Sequence, residues 1–233
     1  MNSSRCWVVL PAAGAGRRMG GSIPKQYMCI GDHTIIEHTL FRFVNRDDIA
    51  GVIVALSQDD PYWVKSCFST HPNICRVTGG IERPHSVLNA LNKLMEIASP
   101  EDWVLVHDAA RPCLRESDLD SLIESLYGHD VGGILATPLK DTLKKGDSGR
   151  KITKTIDRNG LWLAQTPQMF RLAKLHRALV KALDSQQIVT DEASAMELQG
   201  YQPLIVEGHS DNIKITRMED MPIAEFLLTQ AGQ

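Results

Sequence analysis

Short apolar runs alternate with amphipathic stretches along the first half of the chain. Residues 7–10, 52–56, 103–107 and 133–137 are mostly apolar runs of four or five residues, a length typical of buried strands. Residues 86–98 carry apolar side chains at the three- and four-residue spacing of one helix face. Strands that alternate with helices predict a mainly parallel sheet with helices on both faces. The pattern therefore predicts an α/β fold class.

The alternation is interrupted at residues 138–160, where the chain becomes rich in charged residues and glycine. Two short alternating runs flank a tip of Gly, Asp and Ser, which is typical either of a projecting hairpin arm or of an ordinary surface hairpin. We expect one domain over residues 1–233, with 138–160 as a β-arm subdomain within it. Further helices are expected near 117–128, 171–183, 191–199 and 219–229, and further strands near 203–206 and 213–216.

Composition and charge narrow the possible functions. The 233 residues are 43% hydrophobic and 23% charged, which is ordinary for a globular domain. A formal net charge of −3 argues against a general nucleic-acid-binding protein, which carries a basic face. The five cysteines form no Cys-x-x-Cys pair, so we expect free thiols in a reducing compartment. No apolar run reaches the length of a signal peptide or a membrane span, and we expect a cytoplasmic protein with neither nucleic-acid nor membrane partners.

The strongest chemical signal directly follows the first predicted strand. Residues 11–20 read PAAGAGRRMG, and Lys25 comes shortly after them. Ligands of open α/β sheets bind at the carboxyl ends of the strands, and small residues there let backbone N–H groups approach a phosphate chain. Because Arg17, Arg18 and Lys25 supply cations nearby, the segment predicts a phosphate-binding loop rather than a plain glycine-rich turn.

Two other phosphate-binding motifs fit this segment less well. A P-loop requires Gly-Lys followed by Ser or Thr, a combination that the sequence lacks. A dinucleotide-binding fingerprint requires Gly-x-Gly-x-x-Gly, but Met19 occupies the third glycine position after Gly14 and Gly16. A Rossmann dehydrogenase is therefore disfavoured.

A second cluster, GGIERPHS at residues 79–86, lies between a predicted strand and a predicted helix. Its two glycines would let a planar base or a ribose approach the backbone closely. Arg83 is a candidate partner for a phosphate. Ser86 either hydrogen-bonds a base or caps the helix, and the sequence leaves both roles open.

A third cluster, VHDAARP at residues 106–112, follows another predicted strand. A carboxylate such as Asp108 at the exit of a buried strand is well placed to hold Mg²⁺ beside nucleotide phosphates. Ala109 leaves room for a ligand, and Arg111 can neutralise another phosphate. The alternative is an Asp108–Arg111 ion pair that only fixes the turn. His107 is expected to pack or hydrogen-bond rather than to bind metal.

Eight segments in the same order resemble the 2-C-methyl-D-erythritol 4-phosphate cytidylyltransferases of the non-mevalonate isoprenoid pathway. They are PAAGAGRRMG (11–20), PKQY (24–27), GGIERPHSV (79–87), VHDAARP (106–112), IDRNGLW (156–162), QTPQ (165–168), TDEAS (190–194) and DNIKIT (211–216). The resemblance spans nearly the whole chain and implies a Rossmann-like nucleotidyltransferase fold that uses CTP with Mg²⁺ or another divalent cation. It also implies a homodimer formed through the projecting arm, in which Arg158 reaches the active site of the partner subunit.

The reaction implied is transfer of CMP from CTP to a sugar-alcohol phosphate, 2-C-methyl-D-erythritol 4-phosphate. A ribitol-5-phosphate cytidylyltransferase would share the fold and much of the nucleotide loop, although DAARP at residues 108–112 favours methylerythritol phosphate. A nucleotide-binding module without catalysis is an alternative from another class, and the basic residues expected of an active enzyme argue against it.

The same resemblance implies roles for individual residues. The catalytic residues are Arg18, Lys25, Arg158 and Lys214. Nucleotide binding is implied for Ala12, Ala13, Gly14, Gly16, Gly80, Arg83, Ser86 and Ala109. Substrate binding is implied for Asp108, Arg111, Thr142, Thr166 and Thr190, with Asp108 also as the metal-binding residue.

Overall fold

The structure is a computed structural model, and it describes residues 5–14 and 23–230. Within these residues the strands, in chain order, are β1 (Cys6–Pro11), β2 (Cys29–Ile30), β3 (His33–Thr34), β4 (Ile49–Leu56), β5 (Ile74–Thr78), β6 (Trp103–Val106), β7 (Gly132–Pro138), β8 (Leu143–Gly146), β9 (Ile152–Ile156), β10 (Trp162–Arg171) and β11 (Leu204–Glu207). The helices are α1 (Ile35–Phe41), α2 (Arg83–Ile97), α3 (Glu116–Leu126), α4 (Leu172–Asp184), α5 (Glu192–Glu197) and α6 (Asp220–Gln230).

Seven of these strands form the central sheet, in the order β11-β7-β10-β6-β1-β4-β5. Neighbouring strands are parallel except at β10, which runs antiparallel to both β6 and β7. Six strands therefore point in one direction and their carboxyl ends share one edge of the sheet. This arrangement confirms the predicted α/β fold with a mainly parallel sheet.

Helices cover both faces of the sheet, because successive side chains of a strand point in opposite directions. In β1, Val8 and Leu10 belong to one hydrophobic cluster and Val9 to the other. The first cluster receives side chains from α1 and α3, and the second from α2, α4 and α5. Among the helices of residues 5–14 and 23–230, none combines the length and apolarity that crossing a membrane would require.

Most predicted elements are present, with shifted ends. The strands predicted at 7–10, 52–56, 103–107, 133–137 and 203–206 correspond to β1, β4, β6, β7 and β11. The four helices predicted after residue 116 correspond to α3, α4, α5 and α6. The helix predicted over 86–98 begins three residues earlier, at Arg83, with Pro84 in its first turn. Proline is favoured there because its missing N–H would have no partner within the helix.

The strand predicted at 213–216 is wrong. These residues have no regular secondary structure. Ile215 is instead buried in a small cluster with Ile30, Ile35 and Ala224, between the β2–α1 region and α6. The Ile215 N–H donates to Ala110 O at 2.8 Å, which holds the segment beside the loop after β6. The apolar alternation here reflects packing between these elements rather than pairing in a sheet.

Strand β10 has no counterpart among the predicted elements. Its buried centre contains Gln165, Thr166 and Gln168, together with a cis peptide bond before Pro167. Polar residues and a proline thus mask the apolar alternation of a strand that lies inside the sheet. Burial is tolerated because these groups are paired, as when Gln168 Nε2 donates to Asp191 Oδ2 at 2.9 Å. Helix α1 and the short β2–β3 hairpin also lie outside the predicted elements.

The hairpin expected within residues 138–160 is present. Strands β8 and β9 pair in antiparallel fashion, with Leu143 opposite Ile156. Every residue from 143 to 155 is exposed. The strands of the hairpin are therefore solvent-exposed in the single chain and take no part in its hydrophobic core.

Candidate active site

The loops that leave β1, β5 and β6 meet at the carboxyl edge of the sheet and enclose a cleft. Backbone hydrogen bonds join two of these loops to β4, from Ala12 N–H to Ala55 O (2.8 Å) and from Gly79 N–H to Leu56 O (2.7 Å). The cleft has a volume of about 320 Å³. Its lining residues are Pro11, Ala12, Ala13, Gly14, Lys25, Gln26, Gly80, Ile81, Glu82, Arg83, Ser86, Asp108, Ala109, Ala110, Lys214 and Thr216. Ligands of open α/β sheets bind at this edge.

One wall of the cleft is a glycine loop packed tightly against the start of α2. A Cβ placed on Gly80 would lie 2.3 Å from His85 Cβ, so the backbone leaves no room for a side chain. Ser86 stabilises this close contact between the loop and the helix, since its Oγ accepts a hydrogen bond from Gly80 N–H (3.0 Å) and donates one to Glu82 O (3.2 Å). The N-cap residue of α2 is Glu82. Ser86 therefore braces the glycine loop and does not cap the helix.

Lys25 and Gln26 lie on a short 3-10 helix that reaches the cleft. Gln26 is buried, and its Nε2 donates to Ala12 O at 2.8 Å, which ties this turn to the loop after β1. Lys25 Nζ donates to Ile215 O at 2.9 Å. The Lys25 ammonium group is thereby held beside the segment that also carries Lys214. Sequence reasoning did not identify Gln26, whose only signal was its place in the PKQY segment.

Asp108, which directly follows β6, is surrounded by cations. Its Oδ1 lies 2.9 Å from Arg83 Nε, and its Oδ2 lies 2.8 Å from Lys214 Nζ and 3.6 Å from Arg111 Nε. The Asp108 side chain is only 9% exposed. Burial would raise the pKa of the carboxyl group, but Arg83, Lys214 and Arg111 hold that pKa well below its usual range. Asp108 is therefore ionised at neutral pH.

Arg83 is shared between two carboxylates. Besides Asp108, its guanidinium binds Glu192 through two hydrogen bonds, NH1 to Oε1 at 2.7 Å and NH2 to Oε2 at 3.0 Å. Burial would lower the pKa of Arg83, but Glu192 and Asp108 raise it above its usual range. Glu192 is buried at the start of α5 and does not line the cleft. Sequence reasoning missed its role, because an acidic residue in the first turn of a helix has an ordinary explanation in the helix dipole.

A buried chain of hydrogen bonds fixes the backbone at Asp108. His107 Nε2 lies 3.0 Å from Arg111 O, which can only accept, so Nε2 carries the proton and Nδ1 is an acceptor. Thr166 Oγ1 donates to His107 Nδ1 (3.1 Å) and accepts from Asp108 N–H (3.0 Å). Burial lowers the pKa of His107 to about 4, so the imidazole is neutral at pH 7. The expectation that His107 hydrogen-bonds is confirmed.

Arg111 connects the loop after β6 to the segment that carries Lys214. Its NH1 donates to Asn212 O at 2.6 Å. Asn212 is fully buried, and its Nδ2 donates to Thr166 O at 2.8 Å. The loop that carries Asp108, strand β10 with Thr166, and the segment that carries Lys214 are therefore held together by side chains behind the cleft surface.

The structure brings ten of the predicted site residues to the cleft surface. They are Ala12, Ala13, Gly14, Lys25, Gly80, Arg83, Ser86, Asp108, Ala109 and Lys214. Gly16 and Arg18 lie outside the described residues. Arg111 and Thr166 lie behind the surface, and Thr190 is exposed just before α5. Thr142 and Arg158 are exposed on the arm, where Arg158 donates to Lys140 O.

Another group of metal-binding side-chain types lies at the start of α1, outside the cleft lining. Ligating atoms of His33, Glu37 and Cys67 lie within 4.8 Å of one another. The Glu37 carboxylate, however, accepts hydrogen bonds from the N–H and hydroxyl of Thr34, the hydroxyl of Ser66 and the N–H of Cys67. Burial would raise the pKa of Glu37, but these hydrogen bonds lower it to about 2. Its carboxylate therefore anchors α1.

The fold and the cleft together define a class of protein. A tight glycine loop, a buried ionised carboxylate and several cations converge at the carboxyl edge of a mainly parallel sheet. Such a site is suited to a base and a phosphate chain rather than to an apolar ligand. These are the features of an α/β nucleotidyltransferase.

Comparison with known proteins identifies the family. Residues 6–230 match the family model described as 2-C-methyl-D-erythritol 4-phosphate cytidylyltransferase. Proteins of that name from Pseudomonas putida (strain GB-1) and Pseudomonas aeruginosa (strain PAO1) are 52% and 51% identical to this chain over 216 residues, which is 92% of each chain. The chain belongs to the 2-C-methyl-D-erythritol 4-phosphate cytidylyltransferase family.

Solved structures agree with this assignment. A crystal structure of 4-diphosphocytidyl-2C-methyl-D-erythritol synthase is 39% identical, with a TM-score of 0.86 over 98% of this chain and 100% of the other. The 2-C-methyl-D-erythritol 4-phosphate cytidylyltransferase of Francisella tularensis is 37% identical, with a TM-score of 0.84 over 96% of this chain and 100% of the other. The similarity therefore extends over nearly the whole chain.

Proposed function

We propose that this chain transfers CMP from CTP to the phosphate of 2-C-methyl-D-erythritol 4-phosphate. The products are 4-diphosphocytidyl-2-C-methyl-D-erythritol and pyrophosphate, in the biosynthesis of isoprenoid precursors. The proposal rests on the cleft of this chain, which belongs to the cytidylyltransferase family. In that cleft Asp108 lies against Arg83, Lys214 and Arg111. More cations than carboxylates converge there, which suits a site where two anionic substrates meet.

The reaction is an in-line substitution at the α-phosphorus of CTP. A phosphate oxygen of the acceptor forms a bond to that phosphorus, and the bond to the oxygen that bridges to the β-phosphorus breaks, so that pyrophosphate leaves. The acceptor monoester is already anionic and needs no strong general base. Catalysis then depends on positioning and on stabilising charge.

The cations of the cleft have distinct places in this scheme. Lys25, beside the loop after β1, would stabilise the transition state and the departing pyrophosphate together with Arg18. Lys214, which lies 2.8 Å from Asp108 Oδ2, would orient the attacking phosphate and the α-phosphoryl oxygens. The glycine loop braced by Ser86 offers backbone groups to the cytosine and ribose, since no side chain at Gly80 blocks their approach.

The carboxylates of the cleft suit a Mg²⁺ ion that binds together with the triphosphate of CTP. Among the described residues that line the cleft, the carboxylates are Asp108 and Glu82. Both Asp108 oxygens already face cations, Arg83 and Lys214. Mg²⁺ keeps several waters and commonly binds through one or two carboxylates and substrate phosphates. Asp108 would hold the ion directly or through water, and the bound ion would supply positive charge to the triphosphate.

The proposal includes a homodimer with shared active sites, formed through the arm. Apolar side chains are exposed on and beside the arm, including Ile152 (68% exposed) and Leu163 (53% exposed). Thr142 and Arg158 lie on the arm and do not line the cleft of their own chain. We assign both to the acceptor phosphate in the partner's cleft, where the guanidinium of Arg158 would bind two phosphate oxygens. We also assign the protein to the cytoplasm, in keeping with its five unpaired cysteines.

The test is an incubation of the protein with CTP, Mg²⁺ and one acceptor at a time, with pyrophosphate release as the readout. We expect release with 2-C-methyl-D-erythritol 4-phosphate. Release with ribitol 5-phosphate alone would overturn the acceptor, and binding of CTP without release with either acceptor would point to a non-catalytic module. Tight binding of NAD without any turnover of CTP would overturn the class.

A further inference from the structure

Glu192 is a buried carboxylate that reaches the cleft only through another side chain. Its side chain is 1% exposed, and the guanidinium of Arg83 binds both of its oxygens at 2.7 and 3.0 Å. The Nε–H of the same guanidinium donates to Asp108 Oδ1 at 2.9 Å. The two carboxylates therefore bind different edges of one rigid, planar group.

The backbone around Glu192 is itself anchored to the central sheet. Gln168 of β10 is 1% exposed, and its amide donates to Asp191 Oδ2 (2.9 Å) and accepts from Ala193 N–H (2.9 Å). Asp191 Oδ1 also accepts from Ser194 N–H (2.9 Å), which closes the first turn of α5. Glu192 lies between these two held residues. The Glu192 carboxylate is therefore held in place, and its two hydrogen bonds set the orientation of the Arg83 guanidinium plane.

The orientation of the Arg83 guanidinium plane determines which oxygen of Asp108 stays available to other cations. With Glu192 in place, Arg83 reaches Asp108 through Nε and occupies Oδ1, while Oδ2 faces Lys214 at 2.8 Å. Without the negative charge of Glu192, Asp108 would be the carboxylate left for Arg83. A guanidinium prefers to bind a carboxylate through two parallel hydrogen bonds, so Arg83 would turn and take both oxygens.

We infer that Glu192 is a positioning residue of the nucleotide site: it fixes the orientation of Arg83 so that one oxygen of Asp108 remains available to Lys214 and to the Mg²⁺–CTP complex. This inference rests on the proposed function. Glu192 itself does not line the cleft. Its effect on CTP is exerted through Arg83 and Asp108, in the manner of residues that hold the ligands of a metal site.

The central experiment compares Glu192→Gln with Glu197→Gln. Both substitutions remove a carboxylate from α5, but Glu197 is exposed at the other end of the helix. We expect Glu192→Gln to weaken Mg²⁺-dependent CTP binding about 10- to 100-fold in calorimetric titrations without acceptor. We also expect its binding to require a higher Mg²⁺ concentration, whereas Glu197→Gln should match the wild type in both respects. Glu192→Asp, which keeps the charge, should recover part of the affinity.

A double variant separates positioning from mere stability. If Glu192 acts through Arg83, then adding Glu192→Gln to Arg83→Gln should cause no further loss of CTP affinity. The same double variant should be more stable to heat than either single variant, because removing both members of a buried ion pair leaves no unpaired charge. When Glu192→Gln is added to Arg83→Gln, thermal stability should therefore rise while CTP affinity stays the same.

Several outcomes would overturn the inference. Wild-type CTP affinity and Mg²⁺ dependence in folded Glu192→Gln would do so, and so would additive losses of affinity in the double variant. If Glu192→Gln does not fold, the double variant decides: wild-type CTP affinity there refutes a positioning role. Failure of the proposed function would look different, since the wild type itself would then release no pyrophosphate from CTP with any acceptor.

Discussion

Gly79 offers a direct test of how tightly the glycine loop is packed against the loop after β1. An alanine Cβ at this position would lie 2.4 Å from Ala13 Cβ and 3.0 Å from Ser86 Oγ. Non-bonded carbon atoms prefer a separation of about 3.5 Å, so the two loops would have to separate by about 1 Å. Gly79 N–H and Ala12 N–H both donate hydrogen bonds to the end of β4, which holds the two loops there. Ala13 and the cleft surface would therefore be displaced.

The expected magnitudes follow from this displacement. Overpacking of this kind costs about 1–3 kcal/mol in free energy of unfolding. In a chain of this length, each kcal/mol lowers Tm by about 2–4 °C, which gives about 2–12 °C for Gly79→Ala. A shift of about 1 Å in groups that position a substrate can reduce turnover about 100-fold.

Differential scanning calorimetry and pyrophosphate release with CTP and acceptor would measure the two effects. The control is Gly128→Ala, since a Cβ at Gly128 would have no atom within 4 Å. Both variants share the loss of backbone freedom in the unfolded chain that any Gly→Ala change brings. Their difference therefore isolates the contact with Ala13. The same Tm and the same turnover in both variants would refute the packing argument.

Three further predictions concern other parts of the site and fold. Lys25→Ala and Arg158→Ala should each abolish most pyrophosphate release. Mixed dimers of the two variants should regain part of it, because one of their two shared sites is then intact. Verified mixed dimers without activity would argue against shared sites. Thr166→Val should lower the free energy of unfolding in urea by about 1–3 kcal/mol, because a buried backbone N–H and His107 Nδ1 lose their partner; stability equal to that of Thr166→Ser would contradict this. Glu37→Gln should cost about 2 kcal/mol at pH 7. Because the pKa of Glu37 is lowered, that difference should shrink as the pH falls from 4.5 toward 2, and a difference that is constant from pH 7 to pH 3 would be evidence against the hydrogen-bonded carboxylate.

The parallel strands could be predicted because burial on both faces leaves a continuous apolar run in the sequence. This is the case for β1, β4 and β6, whose residues alternate between the two hydrophobic clusters. Strand β10 could not be predicted in this way. Its buried Gln165, Thr166 and Gln168 are tolerated only because of partners elsewhere in the chain, and no local pattern reveals such partners.

The position of the cleft could also be predicted, because parallel strands bring the loops after them to one edge of the sheet. Ten of the predicted residues meet there. The residues that hold them were missed: Gln26, which bonds to Ala12 O, and Glu192, which binds Arg83 across 109 positions of sequence. Both look like ordinary helix residues until the fold shows what lies opposite them.

Local chemistry along the chain was enough for most of the parallel strands, most helices, the exposed hairpin and the small-residue loops, because periodicity, turn residues and proline act over a few neighbouring positions. The ionisation and orientation of the site depended on the tertiary structure. Asp108 meets cations that lie 25 positions before it and 3 and 106 positions after it, and these set the direction of its pKa shift. Burial and electrostatic attraction depend on distance through space, which is known only once the chain has folded.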